Sequence, residues 1–191
     1  GWVRVFSKNE ILTPDDMAKS KLFTWSGDPK QTDLLKKIGF RPVAIDSTEI
    51  VSSMTTGLID TVPMPPFYAL ATQTYNTAPH MLDFNYAPIA GAIVVSEKMW
   101  VRFSEEDRKA MKAAALETGK EMTASGRKES EESIRVMRDT WGLKVSELDD
   151  ASRVQWETVA REAYSYIRGN TVPAEVWDQM VKTLEEYRSS N

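Results

Sequence analysis

Between residues 21 and 68 the chain alternates two kinds of short segment, and this alternation restricts the fold more than any other feature. Lys21 to Trp25 carries β-branched and aromatic side chains and reads as a strand. Ser26-Gly27-Asp28-Pro29 then supplies a turn, a helix cap and a first-turn proline, and Leu34, Leu35 and Ile38 recur at helical spacing until Gly39. Arg41 to Ile45 is a second strand. Asp46 or Ser47 can cap a second helix, whose apolar positions Ile50, Val51 and Met54 run to Gly57, and Leu58 to Val62 becomes extended again. The reading is a βαβαβ unit, hence an α/β fold.

In Pro63-Met64-Pro65-Pro66-Phe67-Tyr68, three of the six residues lack an amide hydrogen, so the stretch cannot donate a regular ladder. It is expected to end the third strand at its carboxyl edge, where open α/β sheets place their ligands.

Around this unit, Gly1 to Phe6 reads as a strand, and Thr13-Pro14-Asp15-Asp16 is a helix start with a cap, a first-position proline and acids at the positive end of the helix dipole. Ala69 to Thr74 begins a short helix, and His80 to Tyr86 is irregular or extended. The continuous apolar run Pro88 to Val95 predicts a central strand buried on both faces. Ser104-x-x-Asp107 opens a long helix reaching about Thr140, with Gly119 and Gly126 as points of bending and Gly142 as its end. A short strand over Leu143 to Leu148 follows. Asp149 or Asp150 then caps a helix with Trp156, Val159, Ala160, Ala163 and Ile167 on one face, closed by Gly169 and Asn170. Pro173 opens a last helix striped by Trp177, Met180, Val181, Leu184 and Tyr187.

Composition excludes several functions. With 24 Lys plus Arg against 28 Asp plus Glu, a net charge of -4 and no basic stripe, the chain is not suited to nucleic acid. It has no cysteine, which removes disulfides and thiolate metal sites. No stretch approaches the roughly 18 apolar residues that span a bilayer. The one histidine, His80, lacks the neighbours a relay or metal site needs and reads as structural. Ser26-Gly27-Asp28 lacks the remaining signature of a phosphate loop. The pairs Asp15-Asp16, Glu105-Glu106, Glu131-Glu132 and Asp149-Asp150 sit at helix starts or on solvated faces. No catalytic residue, metal ligand or cofactor is expected.

An ordered series of short motifs resembles a known family. Pro14-Asp15-Asp16-Met17 precedes Lys21-Leu22-Phe23; Ile38-Gly39-Phe40-Arg41-Pro42-Val43 ends the first helix; Glu49-Ile50 leads to Met54-Thr55-Thr56-Gly57-Leu58-Ile59-Asp60. Val94-Val95-Ser96-Glu97-Lys98-Met99-Trp100 and Ser104-Glu105-Glu106-Asp107 continue the series. Over most of residues 1 to 150 the chain is similar to the extracytoplasmic solute-binding proteins of tripartite ATP-independent periplasmic (TRAP) transporters. The resemblance implies a periplasmic-binding-protein-like fold with a mixed sheet, a long connecting helix and C-terminal helices. Residues 1–88 would form an α/β ligand-binding lobe, 89–142 a crossover strand and long helix, and 143–191 a strand and helices packing on the lobes. The chain opens on a strand with no start methionine, and the resemblance places about a hundred residues before it. The expectation is a fragment lacking its N-terminal lobe and export signal, with sheet edges open to self-association.

The resemblance also implies a periplasmic location, no covalent chemistry, and delivery of a captured small molecule to membrane permease subunits. Where relatives carry a carboxylate-clamping arginine, this sequence has Phe23, and where they carry a polar asparagine it has Met64. A second family arginine falls near Val3, beside Arg4. The expected pocket therefore comprises Phe23, Trp25, Met64, Phe67, Tyr68, Tyr86 and Arg4, and suits an apolar or aromatic solute. The alternative is an α/β interaction or sensory module that binds another protein through an apolar patch.

Overall fold

A computed structural model describes residues 1–190. The six strands of its single mixed sheet are β1 (Trp2–Ser7), β2 (Leu22–Trp25), β3 (Pro42–Ile45), β4 (Thr61–Met64), β5 (His80–Pro88) and β6 (Lys144–Ser146), in the spatial order β3-β2-β4-β1-β5-β6. The βαβαβ unit forms as its periodicity requires, with α2 (Pro29–Lys37) and α3 (Ile50–Thr56) as the crossovers. Only β1 runs against the rest: it is antiparallel to β4 on one side and to β5 on the other.

Strand alternation sends neighbouring β1 residues into different layers. Phe6, opposite Val62 and Met81, faces a core completed by Ile50 and Met54 of α3, Ala69 of α4 (Pro66–Ala71) and Met137 of α6 (Glu105–Trp141). Val5, opposite Leu82, faces a second core with Met17 of α1 (Pro14–Lys19), Leu35 of α2 and Trp156 of α7 (Asp150–Ile167). The sheet is thus sandwiched between two helical layers. The helix ends follow local chemistry: Thr13 and Asp16 form a reciprocal capping box, Asp28 caps α2, Ser104 caps α6, and Gly57 and Gly142 close α3 and α6 with φ of 75° and 73°.

Four expectations need correction. The apolar run Pro88 to Val95 is not a central strand: Pro88 is the last residue of β5, and Ile89 to Val95 is exposed and without regular structure. The last backbone hydrogen bond of the pair is Ile89 N–H donating to the Gly1 carbonyl. Next, β4 does not stop before the prolines but continues through Pro63 to Met64. The short helix begins at Pro66 rather than Ala69, since a proline fits a first turn where no intrahelical partner is needed. Finally, Gly119 and Gly126 do not interrupt α6, whose 37 residues form one helix of about 55 Å.

That helix is anchored near its C-terminal end. Its buried residues are Ser133 and Met137, and Trp141 stacks on Tyr75 at a centroid distance of 5.5 Å. The last helix, α8 (Ala174–Ser190), docks on α7 through a Tyr164–Trp177 ring contact and a two-pronged Arg168–Asp178 pair.

Trp156 fastens α7 to the sheet. It is buried between Phe40 and Phe84, and its indole N–H donates to the Leu12 carbonyl at 2.9 Å. Trp156→Ala should therefore lower the unfolding free energy by about 3–5 kcal/mol, measured by urea denaturation with an unchanged m-value.

Candidate ligand-binding site

One missing amide opens the sheet at its carboxyl edge. Thr61 N–H donates across to the Lys21 carbonyl at 3.3 Å, so two residues later the nitrogen of Pro63 faces the same neighbour and has nothing to donate. The β2–β4 ladder accordingly contains the single pair Leu22↔Thr61, and Phe23 to Trp25 continue without rungs to Pro63 and Met64. The chain also switches sides here, with β3 on one flank of β2 and β4 on the other, the arrangement that leaves a crevice outside the carboxyl ends.

A second irregularity lies across β1. Val5 pairs with Leu82 and Val3 with Ala87, so Arg4 alone stands opposite the four residues Asp83 to Tyr86. Such bulges turn side chains toward a common point. Asp83 and Asn85 project to the side of the sheet that carries Arg4: Arg4 Nε donates to Asp83 Oδ1 at 2.7 Å and Nη1 to Asn85 Oδ1 at 2.5 Å. Phe84 and Tyr86 turn the other way, against the Trp156 core. Burial there pushes the Tyr86 phenol up to about 12.

The expected site residues fall into four groups. Trp25, Phe67 and Tyr68 stand at the carboxyl edge, with 51%, 47% and 39% of their surfaces exposed. Phe23 and Met64 lie beneath them, half-buried and buried respectively, within the core that includes Phe6 and Val62. Arg4 lines a pocket of about 420 Å³ with Gly1, Trp2, Pro66, Asn85, and Arg127, Ser130, Glu131 and Ile134 of α6. Tyr86 is on the opposite face of the sheet from Arg4, Phe23 and Met64. Sequence reasoning missed Asp83, Asn85 and the α6 contribution. The signal for the first two was available: they are polar, two apart in an otherwise apolar strand, and so share one face.

Trp25 is held by its turn. Asp28 N–H donates to the Trp25 carbonyl at 3.0 Å, closing a turn in which the indole folds over Gly27 so closely that any β-carbon there would collide with the ring. Glycine at 27 therefore fixes where the exposed ring lies.

The fold is α/β and of the periplasmic-binding-protein type, a mixed sheet with an open crevice at its carboxyl edge. The chain belongs to the bacterial extracellular solute-binding proteins, family 7, whose family model matches residues 1–170. A curated solute-binding protein of Chromohalobacter salexigens is 26% identical over 146 residues, covering 76% of this chain and 43% of the relative. Among solved TRAP periplasmic solute-binding proteins, one from Fusobacterium nucleatum with bound sn-glycerol-3-phosphate superposes with a TM-score of 0.82 at 19% identity, covering 100% of this chain and 59% of the other. One from a Bradyrhizobium with bound galacturonate gives 0.82 at 16%, covering 97% and 60%. The ectoine-binding protein of Halomonas elongata gives 0.74 at 20%, covering 89% and 55%. The chain thus spans about half the length of these relatives.

Two outcomes test this geometry. Gly27→Ala should displace the Trp25 indole, shifting tryptophan emission while lowering the melting temperature by no more than a few degrees. The neutral Tyr86 phenol contributes stability in full below the ordinary tyrosine value near 10, and this is lost as pH rises toward about 12. Tyr86→Phe should accordingly lose less stability than wild type between about pH 10 and 12 in parallel urea titrations.

Proposed function

We propose that the chain is the ligand-gripping portion of the solute-binding component of a TRAP transporter. It holds a small solute at the carboxyl edge of the sheet, in the periplasm, for delivery to membrane permease subunits. Membership of family 7 supports the receptor role. Among the described residues no helix is long and apolar enough to cross a membrane, which agrees with a partner supplying the membrane passage. No bond-making chemistry is required: capture and closure over the ligand suffice.

The solute is small, with an aromatic or apolar body. The observation that carries this reading is the exposure of three rings at or just after the carboxyl ends of β2 and β4, Trp25, Phe67 and Tyr68, with Phe23 and Met64 on the same two strands. Exposed rings cost solvation unless something covers them, and stacking on a flat or greasy solute recovers that cost. The three solved relatives carry or are named for polar solutes, glycerol phosphate, galacturonate and ectoine. The present chain departs from the resemblance by placing Phe23 and Met64 where polar anchors are expected. Its pocket carries Arg4 and Arg127 with Glu131 in the lining, and Arg4 is paired outside the lining with Asp83, so the positive charge offered to an anion is offset.

Native mass spectrometry of the full-length protein should reveal a co-purified compound with an aromatic or apolar body, and adding that compound should raise the melting temperature. Trp25→Ala should weaken its binding about tenfold without changing the melting temperature of the unliganded protein. A co-purified sugar acid or dicarboxylate, held equally well by the alanine variant, would overturn the proposal.

A further inference from the structure

We infer that Asp83 is a specificity-determining residue: by occupying the Arg4 guanidinium it makes this site reject carboxylates and accept their uncharged counterparts. The inference rests on the solute-receptor reading above and names the class of ligand admitted.

An arginine beside a pocket ordinarily invites an anion, because its planar fork offers parallel N–H donors that match a carboxylate's two oxygens. Arg4 is the only cation of the sheet among the residues lining this pocket, and it is well placed for that role. Two of its five N–H donors, however, are already committed. The Nε–H goes to Asp83 Oδ1 at 2.7 Å, which removes the side-on edge of the fork, and one Nη1–H goes to Asn85 Oδ1 at 2.5 Å. The three remaining N–H groups, one on Nη1 and two on Nη2, can hydrogen-bond a ligand carbonyl or hydroxyl.

Charge leads to the same conclusion. The Arg4 and Asp83 side chains are 18% and 36% exposed, so water screens them only in part and the pair presents a dipole to the pocket. A ligand carboxylate at Arg4 would lie close to the Asp83 carboxylate and pay like-charge repulsion. The second cation of the pocket, Arg127, is on the exposed surface of α6 with Glu131 one turn further on, so the wall it shares is also balanced. The bulge sets four β5 residues opposite one β1 residue, and within it Asp83 and Asn85 converge on a single guanidinium while Phe84 and Tyr86 pack on the far side. A neutral amide, alcohol or ketone meets none of these costs. Discrimination comes from a repulsive group built next to the attractive one.

The test uses matched pairs that differ in one group: phenylacetate against phenylacetamide, benzoate against benzamide, and indole-3-acetate against indole-3-acetamide. Binding to the full-length protein is read by calorimetry and by melting-temperature shift. Wild type should favour the amide of a pair at least tenfold. Asp83→Asn keeps the shape and removes the charge, and should move the carboxylate-to-amide ratio at least tenfold toward the carboxylate. The double variant Arg4→Met, Asp83→Asn should lose that gain. If Asp83→Asn does not fold, as judged by circular dichroism, Asn85→Ala should move the ratio in the same direction by a smaller factor. Equal or tighter carboxylate binding by wild type overturns the inference, as does a ratio that no variant moves. Amide binding with an unmoved ratio defeats the role of Asp83 alone, whereas absence of binding by every pair to every protein defeats the receptor reading with it.

Discussion

The architecture depends on β1 receiving a neighbour on each side while feeding a different core from each face. Running antiparallel to both, it lies between the mutually parallel β4 and β5, whose connection passes through α4, and so joins the βαβαβ unit to the later strands. Val5 and Phe6 are both fully buried, one in each hydrophobic layer, so losing this strand would separate the two halves of the sheet and uncap both cores together. The same strand places Arg4 at the carboxyl edge. Structural and functional demands therefore meet within three consecutive residues.

Both openings in the sheet arise from local backbone chemistry. Pro63 withholds one hydrogen bond, and β2 and β4 lose their ladder where the chain changes direction. The Asp83 to Tyr86 bulge interrupts the ladder on the other side of β1. Between them the edge of the sheet is loosened on both flanks of the strand that carries the arginine, while the opposite edge remains closed by regular pairs such as Ser7↔Thr61 and Ser7↔His80. A regular sheet would have presented a flat rim.

Much of this was legible in the sequence where a residue type has one dominant physical meaning. Asp28-Pro29, Asp149 and Ser104 mark helix starts, Gly57 and Gly142 mark helix ends, and the helical spacing of Ile50 and Met54 identifies a buried face. The resemblance to solute receptors was readable for the same reason, since it lay in an ordered series of such signals. Failures occurred where the outcome depends on a partner. The run from Ile89 to Val95 has the composition of a buried strand, but pairing is not encoded in composition, and the run lies exposed beyond the pair Trp2↔Pro88. Phe23 and Met64 could be assigned to an edge by position, yet how far each sinks into the core depends on packing that periodicity does not describe. The convergence of Asp83 and Asn85 on Arg4 spans about eighty positions and a bulge, and no local pattern encodes the distance between them.

The anchoring of α6 has a mechanical consequence. A rod of about 55 Å gripped near one end, at Ser133, Met137 and the Trp141 stack, is a lever. Its fulcrum adjoins the Arg4 pocket, which takes a wall from Arg127, Ser130, Glu131 and Ile134. The arm from there to Glu105 is roughly 30–40 Å, so a tilt of about 5° sweeps its tip through about 3 Å. By that geometry alone, a small movement at the gripped end corresponds to a much larger one at the far end.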